Sequence, residues 1–111
     1  MEKKIFCATL QEALDLLHHC LETGEVIMGK HFREELVSEG LTINDARVVM
    51  QSGTIYQPPE EDIKTGEDKY RVEGYEPGGK WLVVVFSFKA VEQAFLITVF
   101  SVESRGRRYR E

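Results

Sequence analysis

Residues 30–53 have the sequence KHFREELVSEGLTINDARVVMQSG, which predicts two short helices in succession. Gly40 ends the first helix, because glycine enters the left-handed conformation at a helix C-terminus without a Cβ clash. Thr42 begins the second helix as an N-cap, and Asp45 places a negative charge in its first turn. Apolar residues then recur at helical spacing up to a closing glycine. The first turn of this stretch holds His31 among cationic side chains, so we expect any chemical site near it.

An earlier helix is predicted from the capping-box sequence at residues 9–12. Its apolar residues form one stripe that stops at Gly24: Leu10, Ala13, Leu14, Leu17, Cys20 and Leu21. The adjacent His18, His19 and Cys20 do not predict a metal site, because neighbouring residues of a helix point in different directions. No second cluster in the sequence completes a ligand set. We therefore expect neither a metal nor a cofactor.

After Gly53 the pattern changes to alternating or continuous apolar runs, which are typical of strands. Four strands are predicted, at residues 54–57, 69–75, 81–88 and 94–102. Residues 60–68 are predicted to form an acidic loop, and residues 77–79 a turn. The short link between the last two strands predicts an antiparallel hairpin.

This order of elements predicts an α+β fold, in which two or three N-terminal helices cover one face of a mostly antiparallel four-stranded sheet. The chain of 111 residues is long enough for one domain with a real core, which we place at residues 1–103. Residues 104–111 are expected to extend beyond this domain as a basic tail.

Composition and cysteine content are ordinary for a soluble globular protein, with 42% hydrophobic and 30% charged residues. Cys7 and Cys20 lack the spacing of a zinc or redox motif and make no disulfide framework, which favours a reducing compartment. The N-terminal apolar stretch is too short for a signal peptide or a membrane span. We therefore expect a cytoplasmic protein without membrane association.

Charge is distributed unevenly along the sequence. The net charge of −5 argues against a protein that coats nucleic acid. Residues 104–111, however, contain four arginines and one glutamate. Such a tail can contact phosphate and stack on a base. It can equally serve as a solubilising tail or dock on an acidic surface.

Several short motifs resemble those of a bacterial and archaeal family known as domain of unknown function 4258. The matching pieces are His31-x-Arg33, Gly40-Leu41-Thr42 with Asp45, Ser52-Gly53-x-Ile55, and Ile97-Thr98-Val99-Phe100. Each piece is short, so the order in which the pieces follow one another is more informative than any one of them.

That family is similar to the small toxin nucleases of toxin–antitoxin systems, so the resemblance implies helices followed by a curved antiparallel sheet. It also implies a ribonuclease-like toxin whose partners are RNA and an antitoxin-like protein. Two departures stand out. This chain has Glu35 and Glu39 where members of the family are richer in arginine, and it has Phe100 where they tend to have tyrosine.

Metal-independent RNA cleavage needs a base, an acid and cations at the developing charge on phosphorus oxygens. We expect His31 to be the acid or base, because its unperturbed pKa of about 6.5 suits proton transfer. Arg33 and Thr98 complete the predicted catalytic set, with Thr98 orienting His31 or the substrate. The predicted phosphate-binding residues are Lys30, Arg105 and Arg107. Tyr70, Tyr75 and Glu34 do not stand out as the second proton-transfer group.

Structural explanations exist for the same residues. His31 can cap its helix or bond to Thr98, and Arg33 can form an exposed ion pair of little energetic consequence. The alternative function is a non-enzymatic interaction module with a toxin-like fold, which binds a protein partner or forms a homodimer through a sheet edge. A helix–turn–helix regulator is disfavoured, since its second helix has just Arg47 as a cation for a major groove.

Overall fold

The computed structural model describes residues 5–102, which form three helices and five strands in an α+β arrangement. The elements are α1 (Leu10–Glu22), β1 (Glu25–Met28), α2 (Lys30–Ser38), α3 (Ile43–Ser52), β2 (Glu60–Glu61), β3 (Asp68–Tyr75), β4 (Trp81–Ala90) and β5 (Gln93–Val102). No helix of this part of the chain is long and apolar enough to cross a membrane. The predicted tail at residues 104–111 lies outside the described residues.

The sheet is mixed and has the strand order β1-β5-β4-β3-β2. Three neighbouring pairs are antiparallel, including the predicted β4–β5 hairpin, whereas β1 runs parallel to β5. The predicted count of four strands was therefore wrong. The four-residue strand β1 was missed because it is too short to show a periodic pattern, and it is defined by its pairing with β5.

The segment that enters the sheet after α3 also differs from the prediction. Residues 54–57 form no strand, and only Thr54 makes an isolated antiparallel bridge, to Glu73. The short edge strand β2 lies instead within the predicted acidic loop, where Glu60 pairs with Lys69. Pro58 and Pro59 lie between these two points, and proline removes the backbone donor that a continuous strand would need.

Helix ends follow the local chemistry of the sequence. The Thr42 hydroxyl accepts from the Asp45 N–H at 3.2 Å, and the Asp45 carboxylate accepts from the Thr42 N–H at 2.8 Å, which completes a capping box. Gly40 has φ of 70° after α2, as expected for a glycine stop. Gly53 ends α3 for another reason. A Cβ there would lie 2.4 Å from the carbonyl oxygen of Glu73, so this position needs glycine for close packing on β3.

One face of the sheet packs against the helices and forms the core. Cross-strand neighbours share a face, and this core face carries paired residues such as Leu82 with Ser101, Val84 with Val99, and Phe86 with Leu96. The opposite face, here called the outer face, carries the alternating residues Arg71, Glu73, Val83, Val85, Thr98 and Phe100. A register shift between Val85 and Phe86 separates the two halves of the β4–β5 pair.

Candidate functional site

Helix α2 begins directly against β5. The Gly29 N–H donates to the carbonyl oxygen of Leu96 at 3.0 Å, immediately before the first residue of the helix. A Cβ at Gly29 would lie 2.8 Å from a ring carbon of Phe95 and 2.9 Å from that carbonyl, so glycine permits this close approach. The helix that carries His31 is therefore held at the side of β5.

The two ends of α2 fix which side of the helix meets β5. Phe32 and Leu36 are buried in the core. At the C-cap of the helix, directly after Ser38, the Glu39 carboxylate accepts a hydrogen bond from the Ser101 hydroxyl at 2.6 Å. Residues four apart lie in one row along a helix, so His31, Glu35 and Glu39 follow the side of α2 that faces β5.

His31 lies at the start of this row and keeps most of its surface in solvent. Its Nε2 atom is 3.7 Å from the Glu35 carboxylate, and 63% of the His31 side chain is exposed. At 3.7 Å this contact is too long for a hydrogen bond, and it is an exposed i,i+4 ion pair only when the imidazole is protonated. The structure therefore assigns a partner to Glu35, one of the two acidic departures from the family pattern.

The predicted cations of α2 lie on a different side of the helix from His31. Lys30 and Arg33 border a shallow surface with Glu34 and Val37, and Lys30 lies 4.0 Å from the Glu34 carboxylate. Residues two apart on a helix do not face each other, so the structure does not bring Arg33 to His31. Their predicted cooperation in one site remains a prediction without geometric support.

Thr98 lies on the outer face, in a row that crosses three strands. It pairs with Val85 of β4, and Val85 pairs in turn with Arg71 of β3. Neighbouring strands are about 4.8 Å apart, so the Cα atoms of Thr98 and Arg71 are separated by roughly 10 Å across Val85. Within residues 5–102, no hydrogen bond joins Thr98 to His31. Thr98 therefore lies on the outer face, whereas the Glu39 hydrogen bond joins α2 to Ser101 of the core face.

Arg71 is the site residue that the sequence analysis missed. It is half-buried, and among the described residues it makes no ion pair. Glu73 lies on the same face but accepts from the Trp81 indole N–H, and an arginine without an ion-pair partner keeps its fork of donors available for an anion. Its position in the strand alternation, two residues before Glu73, was a signal available in the sequence.

Two lysines flank this row, and both are held by acidic residues of the segment between β2 and β3. Lys69 lies 3.7 Å from the Asp62 carboxylate, and Lys89 lies 2.8 Å from the Glu67 carboxylate. Lys89 also lies 5.1 Å from the ring centre of Phe95. Both lysines are therefore partly neutralised, in contrast to Arg71.

The Asp62 carboxylate accepts hydrogen bonds from backbone N–H groups of its own turn. Backbone N–H groups of Thr65 and Lys64, together with the ammonium group of Lys69, lower the pKa of Asp62. The turn is therefore stabilised by the charged form of Asp62.

Two other side chains considered for proton transfer or metal binding, Tyr70 and His18, do not lie on the outer face. Tyr70 is buried on the core face, where burial and the neighbouring Cys7 raise the pKa of its hydroxyl, so it does not serve the outer face. His18 bonds to the carbonyl of Met50 at 2.9 Å. No group of three metal-binding side chains occurs in the described part of the chain. Arg105 and Arg107 lie outside the described residues.

Comparison with known proteins identifies the family to which the chain belongs. The model of the family described as "Domain of unknown function (DUF4258)" matches residues 28–101, which is more than half of the chain. The chain therefore belongs to this family. The match runs from the end of β1 to the end of β5 and includes His31, Arg71 and Thr98. Neither a curated protein nor a solved structure matches the chain.

Proposed function

We propose that this protein binds and cleaves RNA without a metal ion, with the RNA held on the outer face of the sheet and reaching His31 of α2 at the side of β5. The observation that carries the proposal is the row Arg71–Val85–Thr98, in which a half-buried arginine makes no ion pair within residues 5–102. A guanidinium in this setting suits a phosphate, because its planar fork matches two phosphate oxygens.

His31 supplies the proton-transfer group in this proposal. In metal-independent cleavage the ribose 2′-hydroxyl attacks the adjacent phosphorus and the bond to the 5′-oxygen breaks. A base takes the proton of the hydroxyl and an acid protonates the leaving oxygen. His31 takes one of these roles, and the Glu35 carboxylate lies 3.7 Å from its Nε2 atom. Arg71 stabilises the charge that develops on the phosphorus oxygens, and Thr98 positions the substrate.

The resemblance to toxin nucleases supports the same reading, since α2 followed by the sheet gives the order of elements expected of them. Agreement of fold is by itself no evidence of activity. The proposal therefore depends on the chemistry of His31 and Arg71, and its natural partners are RNA and an antitoxin-like protein.

A non-enzymatic interaction module is the second candidate. Glu35 is engaged with His31 and Glu39 with Ser101, so both acidic residues of α2 have structural uses that need no reaction. This arrangement favours a toxin-like fold whose histidine serves only charge balance on the surface of α2. RNA cleavage by the purified chain separates the two candidates.

The experiment incubates the purified chain with total bacterial RNA in the presence of a chelator, and identifies products by mass spectrometry. We expect fragments that end in a cyclic phosphate, which only the internal attack of the 2′-hydroxyl produces. His31→Gln is expected to reduce the rate about 10²- to 10⁴-fold, and Arg71→Gln about 10²-fold.

Arg47→Gln is the matched control for Arg71→Gln, because Arg47 lies on α3 on the core side of the sheet. It should cleave like the unchanged chain. Arg33→Gln then decides whether the outward side of α2 belongs to the site. Intact RNA with the unchanged chain, or cleavage that survives both His31→Gln and Arg71→Gln, would reject the nuclease proposal in favour of the interaction module.

A further inference from the structure

Strand β1 forms one edge of the sheet and leaves backbone groups available. The Glu25 N–H donates to the carbonyl of Glu92 at 2.8 Å, and the Gly29 N–H donates to the carbonyl of Leu96 at 3.0 Å. Alternate residues of a parallel strand bond to the same neighbour, so the backbone groups of Val26 and Met28 point away from β5. This outer edge pairs with no other strand in the part of the chain that the structure describes.

A groove lies beside this edge on the core side of the sheet, between the end of α1, β1 and α3. Its volume is about 240 Å³. Its walls are mainly apolar and include Leu21, Val26, Met28, Ile43 and Met50. Met28 is 37% exposed and Ile43 is 39% exposed, so each offers apolar surface to a partner.

A single cation interrupts this apolar lining. Arg47 lies one helical turn after Ile43 on α3, and it makes no ion pair among residues 5–102. An arginine beside an apolar groove favours an occupant that carries a carboxylate. The surface therefore combines three recognition elements, which are a strand edge, an apolar groove and an unpaired positive charge.

We propose that this surface binds an extended segment of a partner protein, which adds to the sheet as a strand beside β1. The segment has apolar side chains at alternate positions that enter the groove, and one carboxylate that meets Arg47. Backbone hydrogen bonds to Val26 and Met28 provide affinity, and the alternate side chains provide specificity. This site lies away from the outer face and does not depend on RNA cleavage.

A second copy of the chain fits this surface less well. When two copies of β1 pair antiparallel about a two-fold axis, their residues Val26 and Met28 share the groove side. The acidic residue of β1 is Glu25, which alternates to the other side of the strand and accepts a hydrogen bond from Gln93 at 2.9 Å. A second β1 strand therefore brings no carboxylate to Arg47.

The test selects binders from a displayed library of random twelve-residue peptides on the intact full-length chain. The selected peptides are then synthesised, and their affinities are measured by fluorescence polarisation. We expect the selected peptides to have alternating apolar residues and an aspartate or glutamate at one fixed position. Arg47→Gln should weaken binding about tenfold, and Arg47→Lys should retain most of the affinity.

A proline scan at the edge separates backbone pairing from side-chain contact. Met28→Pro removes an outward-pointing N–H without touching a bond to β5, and Met28→Ala removes the same side chain but keeps the N–H. We expect Met28→Pro to bind about tenfold more weakly than Met28→Ala, with both variants retaining the fluorescence of folded Trp81.

Four results would overturn the proposal. Three come from the peptide experiments, and they are selected peptides without an acidic residue, equal binding by the two Met28 variants together with unchanged binding by Arg47→Gln, and a failure to enrich any peptide. Sedimentation equilibrium tests whether a second copy of the chain occupies this edge. A dimer of the unchanged chain that Met28→Pro converts to a monomer would assign the edge to a second copy and reject the peptide.

Discussion

The burial of Phe32 predicts that it anchors α2, and with it His31, to the sheet. Its side chain is 0% exposed in the core, whereas Val37 on the same helix is 81% exposed. Burying a phenylalanine removes about 150–250 Å² from water. At about 25 cal/mol per Å² this is worth about 4–6 kcal/mol. Alanine keeps part of that burial, so Phe32→Ala should lower the free energy of unfolding by about 3–5 kcal/mol.

Urea unfolding followed by the fluorescence of Trp81 measures this loss. Trp81 is the single tryptophan of the chain and is 7% exposed, so it reports on the folded sheet. Val37→Ala is the matched control and should change the free energy of unfolding by less than about 0.5 kcal/mol. A Phe32→Ala loss below about 1 kcal/mol, or equal losses for the two variants, would refute the position of α2 against the core.

Three further substitutions test separate parts of the fold. Thr42→Ala removes the hydroxyl that accepts the Asp45 N–H and should cost about 1 kcal/mol of unfolding free energy, and no loss would contradict the observed capping box. Gly53→Ala places a methyl group 2.4 Å from the carbonyl oxygen of Glu73 and should cost more than about 1 kcal/mol in the same urea assay, so a neutral result would contradict the close approach. Folding lowers the pKa of Asp62, so the charged carboxylate stabilises the folded chain at neutral pH. This stabilisation is lost as the pH falls through the folded pKa, which lies below the usual value of about 3.9. Asp62→Asn should therefore melt at a lower temperature than the unchanged chain at neutral pH, and the two melting temperatures should converge in acid. A difference in melting temperature that grows in acid would contradict a lowered pKa of Asp62.

Features fixed by local chemistry were predictable from the sequence. Thr9 and Thr42 were correctly predicted to cap their helices, because a hydroxyl followed by an acidic residue three positions later satisfies free N–H groups. Strands β3, β4 and β5 were predicted to within two residues, since their apolar runs are long. The helices were also correctly placed on one face of the sheet.

Features that depend on distant partners were not predictable. Strand β1 has four residues and exists through its pairing with β5, almost seventy positions along the chain. Strand β2 has two residues and pairs across the turn that Asp62 organises. Sequence periodicity records which face of an element is apolar, but it does not record which other element will lie beside it.

In the candidate site too, the sequence did not indicate which distant residues lie together. Sequence neighbours suggested that His31 and Arg33 act together, yet residues two apart on a helix point to different sides. Arg71 is forty residues from His31 and entered the site only when strand register placed it in line with Thr98. Proximity in sequence was therefore a poor guide to proximity on the surface.

NMR mapping of the surface that contacts RNA tests the central proposal most directly. The probe is a short mixed-sequence RNA with 2′-O-methyl groups, which cannot undergo the internal attack and so remains intact. We predict that amide shifts cluster at Arg71, Val85 and Thr98 and at the first turn of α2. Shifts confined to β1 and α3, or no shifts at millimolar RNA, would contradict an RNA site on the outer face.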